Sequence, residues 1–333
     1  MATRRRLLAV VVLVPLLAAL ALWAFAWPAA RTAPRDLPLG VAGPAAATAR
    51  LEQQFGRHEG AFEIHRFADE AAARSAIENR DVYGAVVVTP EGPELLTASA
   101  ASPVVAQLLR QAVTEQAAAQ GSGMKTVDVV ATPASDPRGA ALSSSVLPLA
   151  LAGLVAGALV TLLGLRGFRA VAALTVAAAL VGIVAAALAH SWLGVLTGDW
   201  WAEAGTLGLA TLAVSAAVAG LAALVGPAGI GAVAFLVMFL GNPFSAAASA
   251  PQLLPDPVGT IGQWLPPGAS ATLLRSVSFF DGAAATGPAL TLAWWAVLGL
   301  GAVVLGNALK ERTKTTASAS GSASAEPALT PLG

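Results

Sequence analysis

The sequence contains no cysteine, a single tyrosine and few charged side chains. The absence of cysteine excludes disulfides, thiolate metal sites and cysteine nucleophiles. Charged residues make up 11% of the chain, whereas roughly 25% is usual in soluble proteins. The formal net charge is zero and no long basic run occurs, so nucleic acid is not expected as a partner. With 56% hydrophobic residues, the composition predicts an α-helical integral membrane protein.

Six apolar segments are long enough to cross a bilayer, and they predict six transmembrane helices. The segments are residues 7–27, 146–165, 170–189, 205–225, 229–248 and 289–309. The first reaches about 30 Å at ~1.5 Å per residue, so residues 1–27 are predicted to be an N-terminal anchor. Ala24 and Ala26 also have the small-x-small pattern of a signal-peptide cleavage site. Trp23 and Trp27 suit an interfacial belt and favour an uncleaved anchor.

Basic residues mark one side of the predicted membrane. With six crossings, residues 4–6, Arg166 with Arg169, and residues 310–314 all lie on the cytoplasmic side, as the positive-inside rule requires. The lipid bilayer is therefore a partner, the predicted location is the cell membrane, and both termini are predicted to be cytoplasmic. Residues 146–310 form a five-helix membrane domain. The Ser/Ala-rich residues 311–333 are expected to be a disordered cytoplasmic tail.

Residues 28–145 are predicted to form an extracytoplasmic α/β domain between the first and second spans. This region holds 13 of the 19 acidic residues, and strand and helix patterns alternate along it. Strands are predicted at residues 37–42, 61–67, 82–89, 94–99 and 126–132, and helices at 45–55, 69–79 and 103–120. The order βαβαββαβ predicts a mixed sheet covered by helices, with the run at 82–89 as a central strand.

The sequence offers no catalytic, cofactor or metal site, and we do not expect an enzyme. Residues 121–125 (GSGMK) lack the glycine that precedes the lysine of a phosphate loop, and they link a helix to a strand. The chain is therefore expected to have no ATP site of its own. No predicted span contains a charged side chain, and His190 lies at the outer end of its span as an interfacial residue. A self-contained ion-driven pump is not expected.

Residues 242–281 are too polar and too rich in proline to cross a bilayer, yet too apolar to be a soluble loop. We interpret residues 251–281 as a re-entrant outer segment of two short helices, broken at Pro266 and Pro267. Arg275 is expected to be exposed in an outer mouth, with Phe279 and Phe280 facing apolar surroundings. The alternative is an amphipathic surface loop. The predicted outer gate comprises Pro255, Trp264, Pro266, Pro267, Arg275, Phe279 and Phe280.

Gly153 and Gly157 form a GxxxG pattern on the second predicted span. Such small residues let helix backbones approach closely. In a chain this rich in alanine and glycine, packing between helices of the same chain is the first interpretation. A subunit interface is the alternative.

The chain resembles the membrane subunits of type-2 ABC exporters, especially the branch related to YhgE, the phage-infection-protein family. The resemblance lies in LPLGVAG at 37–43, AAARSAIENRDVYGAVVVTP at 71–90 and the region LLP…WLPPGASATLLRS before the last span. It also lies in the architecture of one span, a large outside domain and five clustered spans, and covers roughly residues 5–310. The resemblance implies a homodimer, a separate cytoplasmic ATPase subunit, and export of lipids, drugs or polymers.

Two functions are therefore expected. The first is the permease subunit of an exporter, which the re-entrant segment favours. The second is a non-transporting envelope protein whose outer domain binds cell-wall material, a phage or a surface protein. The second is favoured by the short cytoplasmic connections, such as the turn at residues 166–169, because exporters of this kind usually present a longer helix to the ATPase. We favour the first.

Overall fold

The computed structural model describes residues 2–56, 59–90, 92–120 and 124–323. The described chain is mostly helical, with one small mixed sheet. The strands are β1 (Leu37–Ala42), β2 (Phe62–Phe67), β3 (Gly84–Thr89), β4 (Gly92–Thr97) and β5 (Lys125–Asp128). The helices are α1 (Ala2–Ala30), α2 (Ala45–Phe55), α3 (Glu70–Glu78), α4 (Pro103–Gln120), α5 (Ala140–Leu162), α6 (Gly167–Ala186), α7 (Trp200–Val225), α8 (Ala228–Phe235), α9 (Asn242–Phe244), α10 (Val258–Trp264), α11 (Pro266–Phe279) and α12 (Thr286–Ala323).

The predicted mixed sheet is confirmed, and its strand order is β2-β1-β3-β4-β5. β1 runs parallel to β2 and β3, β3 and β4 form an antiparallel hairpin, and β5 runs parallel to β4. Gly84–Thr89 occupies the centre, as its unbroken apolar sequence GAVVVT predicts for a strand covered on both faces. β5 ends at Asp128, four residues before the predicted end.

Among the described residues, five helices are apolar and long enough to cross a membrane: Arg6–Ala30, Ala140–Leu162, Gly167–Trp192, Trp200–Val225 and Thr286–Arg312. α7 is at the centre of the bundle and is the most buried of the five. Small residues allow this close packing. A methyl group added at Gly153 would lie 2.7 Å from Val214 Cβ, and one at Gly157 would lie 2.6 Å from the Ser215 carbonyl oxygen. Packing against α7 within the chain accounts for both glycines.

The segment predicted as a span at residues 229–248 is a shorter apolar helix, Ala228–Phe244. A π-helical turn at Leu236–Gly241 joins α8 to α9. At ~1.5 Å per residue, the whole helix from Ala228 to Phe244 extends about 25 Å. Gly229 lies against the backbone of Leu221 and Ala222 near the C-terminal end of α7, and Gly241 lies against Pro267. The helix therefore runs alongside α7 from that end to the start of α11.

The two short helices α10 and α11 follow in the chain, and they are separated by Leu265, which has extended backbone angles. Pro266 and Pro267 open α11, where proline is tolerated because these backbone nitrogens need no helical partner. Ala269 and Leu273 of α11 pack against Ala210 and Ala213, in the middle of α7. The other end of α11 reaches the sheet domain. The α10–α11 pair thus spans from mid-bundle to the α/β domain.

The segment before α12 completes the core of the α/β domain on both faces of the sheet. Phe280 is 5% exposed and packs among residues of α3, β1, β3 and β4. Ala250 and Leu253 are fully buried in the cluster on the other face, beside Leu37 and Val105. Backbone bonds reinforce the joint, since Arg35 N–H donates to the Gln252 carbonyl at 2.9 Å. The α/β domain and this segment are one packed unit.

Two further predicted boundaries differ from the structure. The disordered tail predicted for residues 311–333 does not begin at 311, because α12 continues to Ala323; lysine, glutamate and alanine extend a helix that is already nucleated. The part of that prediction at 324–333 lies outside the described residues. α7 begins at Trp200 rather than at residue 205, and its first turns therefore include Glu203, which is fully buried.

Candidate functional site

A cavity of about 470 Å³ lies where the α/β domain meets α10 and α11. Its lining comes from three parts of the chain that are distant in sequence, residues 35–38, 80–83 and 251–284. Its polar side chains include Arg80, Tyr83, Gln252, Gln263, Thr272 and Arg275. Arg35, Asp36 and Asp256 also line it. The cavity therefore joins the α/β domain to the α10–α11 pair.

Arg80 is positioned by the end of α3. Asp69 caps the start of this helix by accepting from Ala72 N–H, and Asn79 ends it. Arg80 then adopts a left-handed backbone with φ of 65°, which turns its side chain toward α11. Its Nη1 donates to the Thr272 carbonyl oxygen at 3.1 Å and to Ser276 Oγ. Its Cζ lies 5.3 Å from the centre of the Phe280 ring, a cation–π distance.

Arg275 is buried, with 5% of its surface exposed. The prediction that it is exposed in an outer mouth is wrong, because the α/β domain and the loop before α10 cover this side of α11. Its Nη2 donates to the Ala247 carbonyl oxygen at 2.9 Å. No carboxylate among the described residues lies within ion-pair distance of Arg80 or Arg275. The two carboxylates of the cavity, Asp36 and Asp256, are exposed at its edge.

Arg80 affects the pKa of Arg275, and both arginines affect the pKa of Tyr83. Burial lowers the pKa of Arg80. Burial also lowers the pKa of Arg275 to about 10, and the positive charge of Arg80 adds to the effect. A pKa of about 10 keeps Arg275 protonated at neutral pH. Burial raises the pKa of Tyr83 and outweighs the two arginines. The Tyr83 hydroxyl is therefore neutral, and it donates to Gln252 Oε1 at 2.9 Å.

The remaining predicted gate residues differ in burial, and of these Trp264 lines the cavity. Pro255, Pro266 and Pro267 are buried, and Phe279 is half-buried against two core clusters. Trp264 lines the cavity with its side chain 67% exposed. α10 and α11 are tied across the bend, since Thr272 Oγ1 donates to Gln263 Oε1 at 2.6 Å. Arg80 and Tyr83 were missed in the sequence, where they read as the end of a helix and the start of a strand.

Glu203 forms a second polar cluster near the same end of the bundle. Its Oε2 lies 2.8 Å from His190 Nδ1, and its Oε1 accepts from Gly198 N–H at 2.8 Å. The loop it holds reaches α11, because Thr197 Oγ1 donates to the Ser278 carbonyl oxygen at 3.1 Å. Asp199 caps α7 by accepting from Ala202 N–H. This cap is the sequence signal that could have extended the helix to include Glu203.

Two further cavities flank the helices. An apolar one of about 600 Å³ lies between α5, α6 and α7, with Pro148, Leu180, Val184 and Leu207 in its wall. The other, about 570 Å³, lies at the opposite end of the bundle from the α/β domain. It is lined by Arg166 of the α5–α6 connection, by Phe168 and Arg169 in the first turn of α6, and by Lys310 and Glu311 of α12. Phe168 is 85% exposed.

The phosphate-loop-like residues considered above lie partly outside the described chain, at 121–123. In comparisons with known proteins, no family model matches the chain, and no curated protein or solved structure is significantly similar to it. A function must therefore be argued from the cavities and the helices.

Proposed function

We propose that this chain is the membrane permease subunit of an exporter of the type-2 ABC kind, driven by a separate ATPase. The observation that carries the proposal is the α10–α11 pair with its polar cavity. A closed helix pair that extends from mid-bundle to an outer domain is what an outward path needs at its exit. In this proposal Arg275 acts at the buried contact between α11 and the α/β domain, and not in an open entrance to the path.

Six crossings are part of this proposal. α7 ends at Val225, and the chain must return to the α/β domain, because Leu253 and Phe280 are built into that domain. Ala228–Phe244 is the only segment available for the return. Its length of about 25 Å is short for a bilayer of about 30 Å, and the deep position of the α10–α11 pair offsets the difference. The α/β domain is then extracytoplasmic, and residues 163–169 are cytoplasmic.

An amphiphile is the cargo that suits these surfaces best. The apolar cavity of about 600 Å³ between α5, α6 and α7 has the size and lining of a small-molecule pocket. The polar cavity beside Arg275 supplies hydrogen-bond donors at the α/β domain. A molecule with an apolar tail and a polar head would be matched by both.

The inner end offers a contact for the ATPase. Although the α5–α6 turn is short, α12 continues beyond it to Ala323. Turn and helix together form the basic cavity of about 570 Å³, next to the exposed Phe168. This surface is larger than the turn alone, and it supports mechanical coupling between this chain and the separate ATPase.

The test is recovery of an ATPase with the tagged full chain, extracted from its host membrane in mild detergent. We expect Mg-ATP hydrolysis to co-purify with the wild-type chain and to fall several-fold with Phe168→Ala. The matched control is Trp192→Ala, which removes an equally exposed aromatic at the other end of the bundle. If no ATP hydrolysis accompanies the chain, the exporter proposal fails, and a non-transporting envelope protein becomes the better explanation.

A further inference from the structure

The half-buried guanidinium group of Arg80 and the buried one of Arg275 share one cavity, and neither has a carboxylate at ion-pair distance among the described residues. Arg80 uses Nη1 alone, for the Thr272 carbonyl and Ser276 Oγ, and Arg275 uses Nη2 alone, for the Ala247 carbonyl. The other nitrogens of both side chains have no protein acceptor in the described structure. A buried cation is costly unless an anion pairs with it. The two guanidinium groups therefore face the cavity without an ion-pair partner among the described residues.

We propose that this cavity binds an oxyanion, most suitably a phosphate group, between the guanidinium groups of Arg80 and Arg275. The planar donor face of arginine matches the oxygens of phosphate and forms paired, charge-assisted bonds with them. This inference rests on the proposed function in one respect: the phosphate is taken as the headgroup of the exported amphiphile. The binding itself requires no ATPase.

The surroundings define the ligand further. About 470 Å³ is more than one phosphate group needs, and pockets for small molecules begin at roughly 300 Å³. Tyr83, Gln263 and Thr272 provide hydroxyl and amide groups for the rest of a polar headgroup. Asp36 and Asp256 lie at the exposed edge and repel further negative charge. The exposed ring of Trp264 suits the boundary between headgroup and tail.

The test measures ligand-induced shifts of the unfolding midpoint of the purified full chain in uncharged detergent. The probes are inorganic phosphate and a short-chain phosphatidylglycerol, with a short-chain diacylglycerol as the phosphate-free control. We expect a saturable upward shift with at least one phosphate-bearing probe. Arg80→Gln and Arg275→Gln are expected to weaken apparent binding by about 10- to 100-fold, the loss that charge-assisted bonds imply. Arg74→Gln, an arginine of α3 paired with Glu70 away from the cavity, should bind as the wild type does.

The outcomes separate the sources of the phosphate. Saturation by inorganic phosphate identifies a free anion site, and saturation by the phospholipid alone identifies a headgroup site; both support the proposal. Should Arg275→Gln fail to fold, Arg275→Lys keeps the charge but not the paired geometry, and it should still bind weakly. No saturable shift with either probe, or wild-type binding by a folded Arg80→Gln, overturns the proposal. Loss of ATPase recovery with intact phosphate binding would instead reject export and retain this site.

Discussion

Arg80 adopts a left-handed backbone conformation, φ 65°, at a position where a helix ends. Glycine or asparagine is the usual residue there, because a side chain with a Cβ is strained by roughly 1–2 kcal/mol. The strain is balanced by what the side chain reaches: the Thr272 carbonyl, Ser276 and the Phe280 ring. These contacts join α3 to α11 across 192 positions of sequence.

Comparing Arg80→Gly with Arg80→Ala separates the strain from the contacts. Both variants lose the guanidinium, but only glycine relieves the left-handed backbone. We expect Arg80→Gly to be more stable than Arg80→Ala by about 1 kcal/mol. Unfolding midpoints of the purified variants would measure this. Equal stability of the two variants would mean that the backbone at this position carries no strain.

Among the helices and strands, the sequence predicts best where the signal is local. The order of strands and helices from residue 37 to 128 follows from alternation, caps and prolines, and the break before Pro266 follows from proline itself. The burial of Arg275 could not be predicted in this way, because it depends on the loop at Ala247 and on Arg80 and Tyr83 of the α/β domain, which are far from it in sequence or belong to another element. For the same reason Phe280 and Leu253 were not recognised as core residues of the sheet domain.

Helix ends were predicted less well than helix positions. Asp199 caps α7 at Trp200, whereas the span was predicted to begin at residue 205, so Glu203 and its pairing with His190 were missed. A buried carboxylate in an apolar helix depends on a partner in another element, and a single helical pattern does not reveal that partner. Composition misled in the opposite direction at α12, where a Ser/Ala-rich stretch remains helical to Ala323.

The packing of α5 on α7 gives a test at the scale of elements. Gly157→Ala would bring a methyl group to 2.6 Å from both the Ser215 carbonyl oxygen and Val218 Cβ, so the helices must separate. Overpacking of this kind costs about 1–3 kcal/mol. Gly205→Ala is the matched control, since nothing lies within 4 Å of the added carbon, and alanine favours a helix by about 1 kcal/mol.

Thermal unfolding of the two purified variants compares them directly. We expect the midpoint of Gly157→Ala to fall and that of Gly205→Ala to stay or rise. A fall of equal size in both would show that the loss comes from glycine-specific backbone freedom rather than from contact between α5 and α7.

The molecule has a well-packed part, formed by α7 and the α/β domain, and a belt of apolar helix faces that the protein itself does not cover. α7 and the α/β domain are well buried, whereas α1 exposes most of its apolar side chains and contacts the rest near Ala24 and Trp27. An apolar helix with so little protein contact is stable only in a bilayer or against another apolar surface. The exposed faces of α5, α6 and α12 add to the same belt.

The chain lacks cysteine, so single introduced cysteines can test the orientation of this belt without background labelling. Glu78→Cys is on an exposed surface of α3, Phe168→Cys is exposed in the first turn of α6, and Lys310→Cys is exposed on α12. With six crossings, a membrane-impermeant maleimide should label position 78 in intact cells, and positions 168 and 310 only after permeabilisation. Five crossings would place 310 on the same side as 78, since Ala228–Phe244 would then not cross. Labelling of position 168 but not of position 78 in intact cells would show the opposite orientation in the membrane. It would contradict both the outer position of the arginine cavity and the inner position of the ATPase contact.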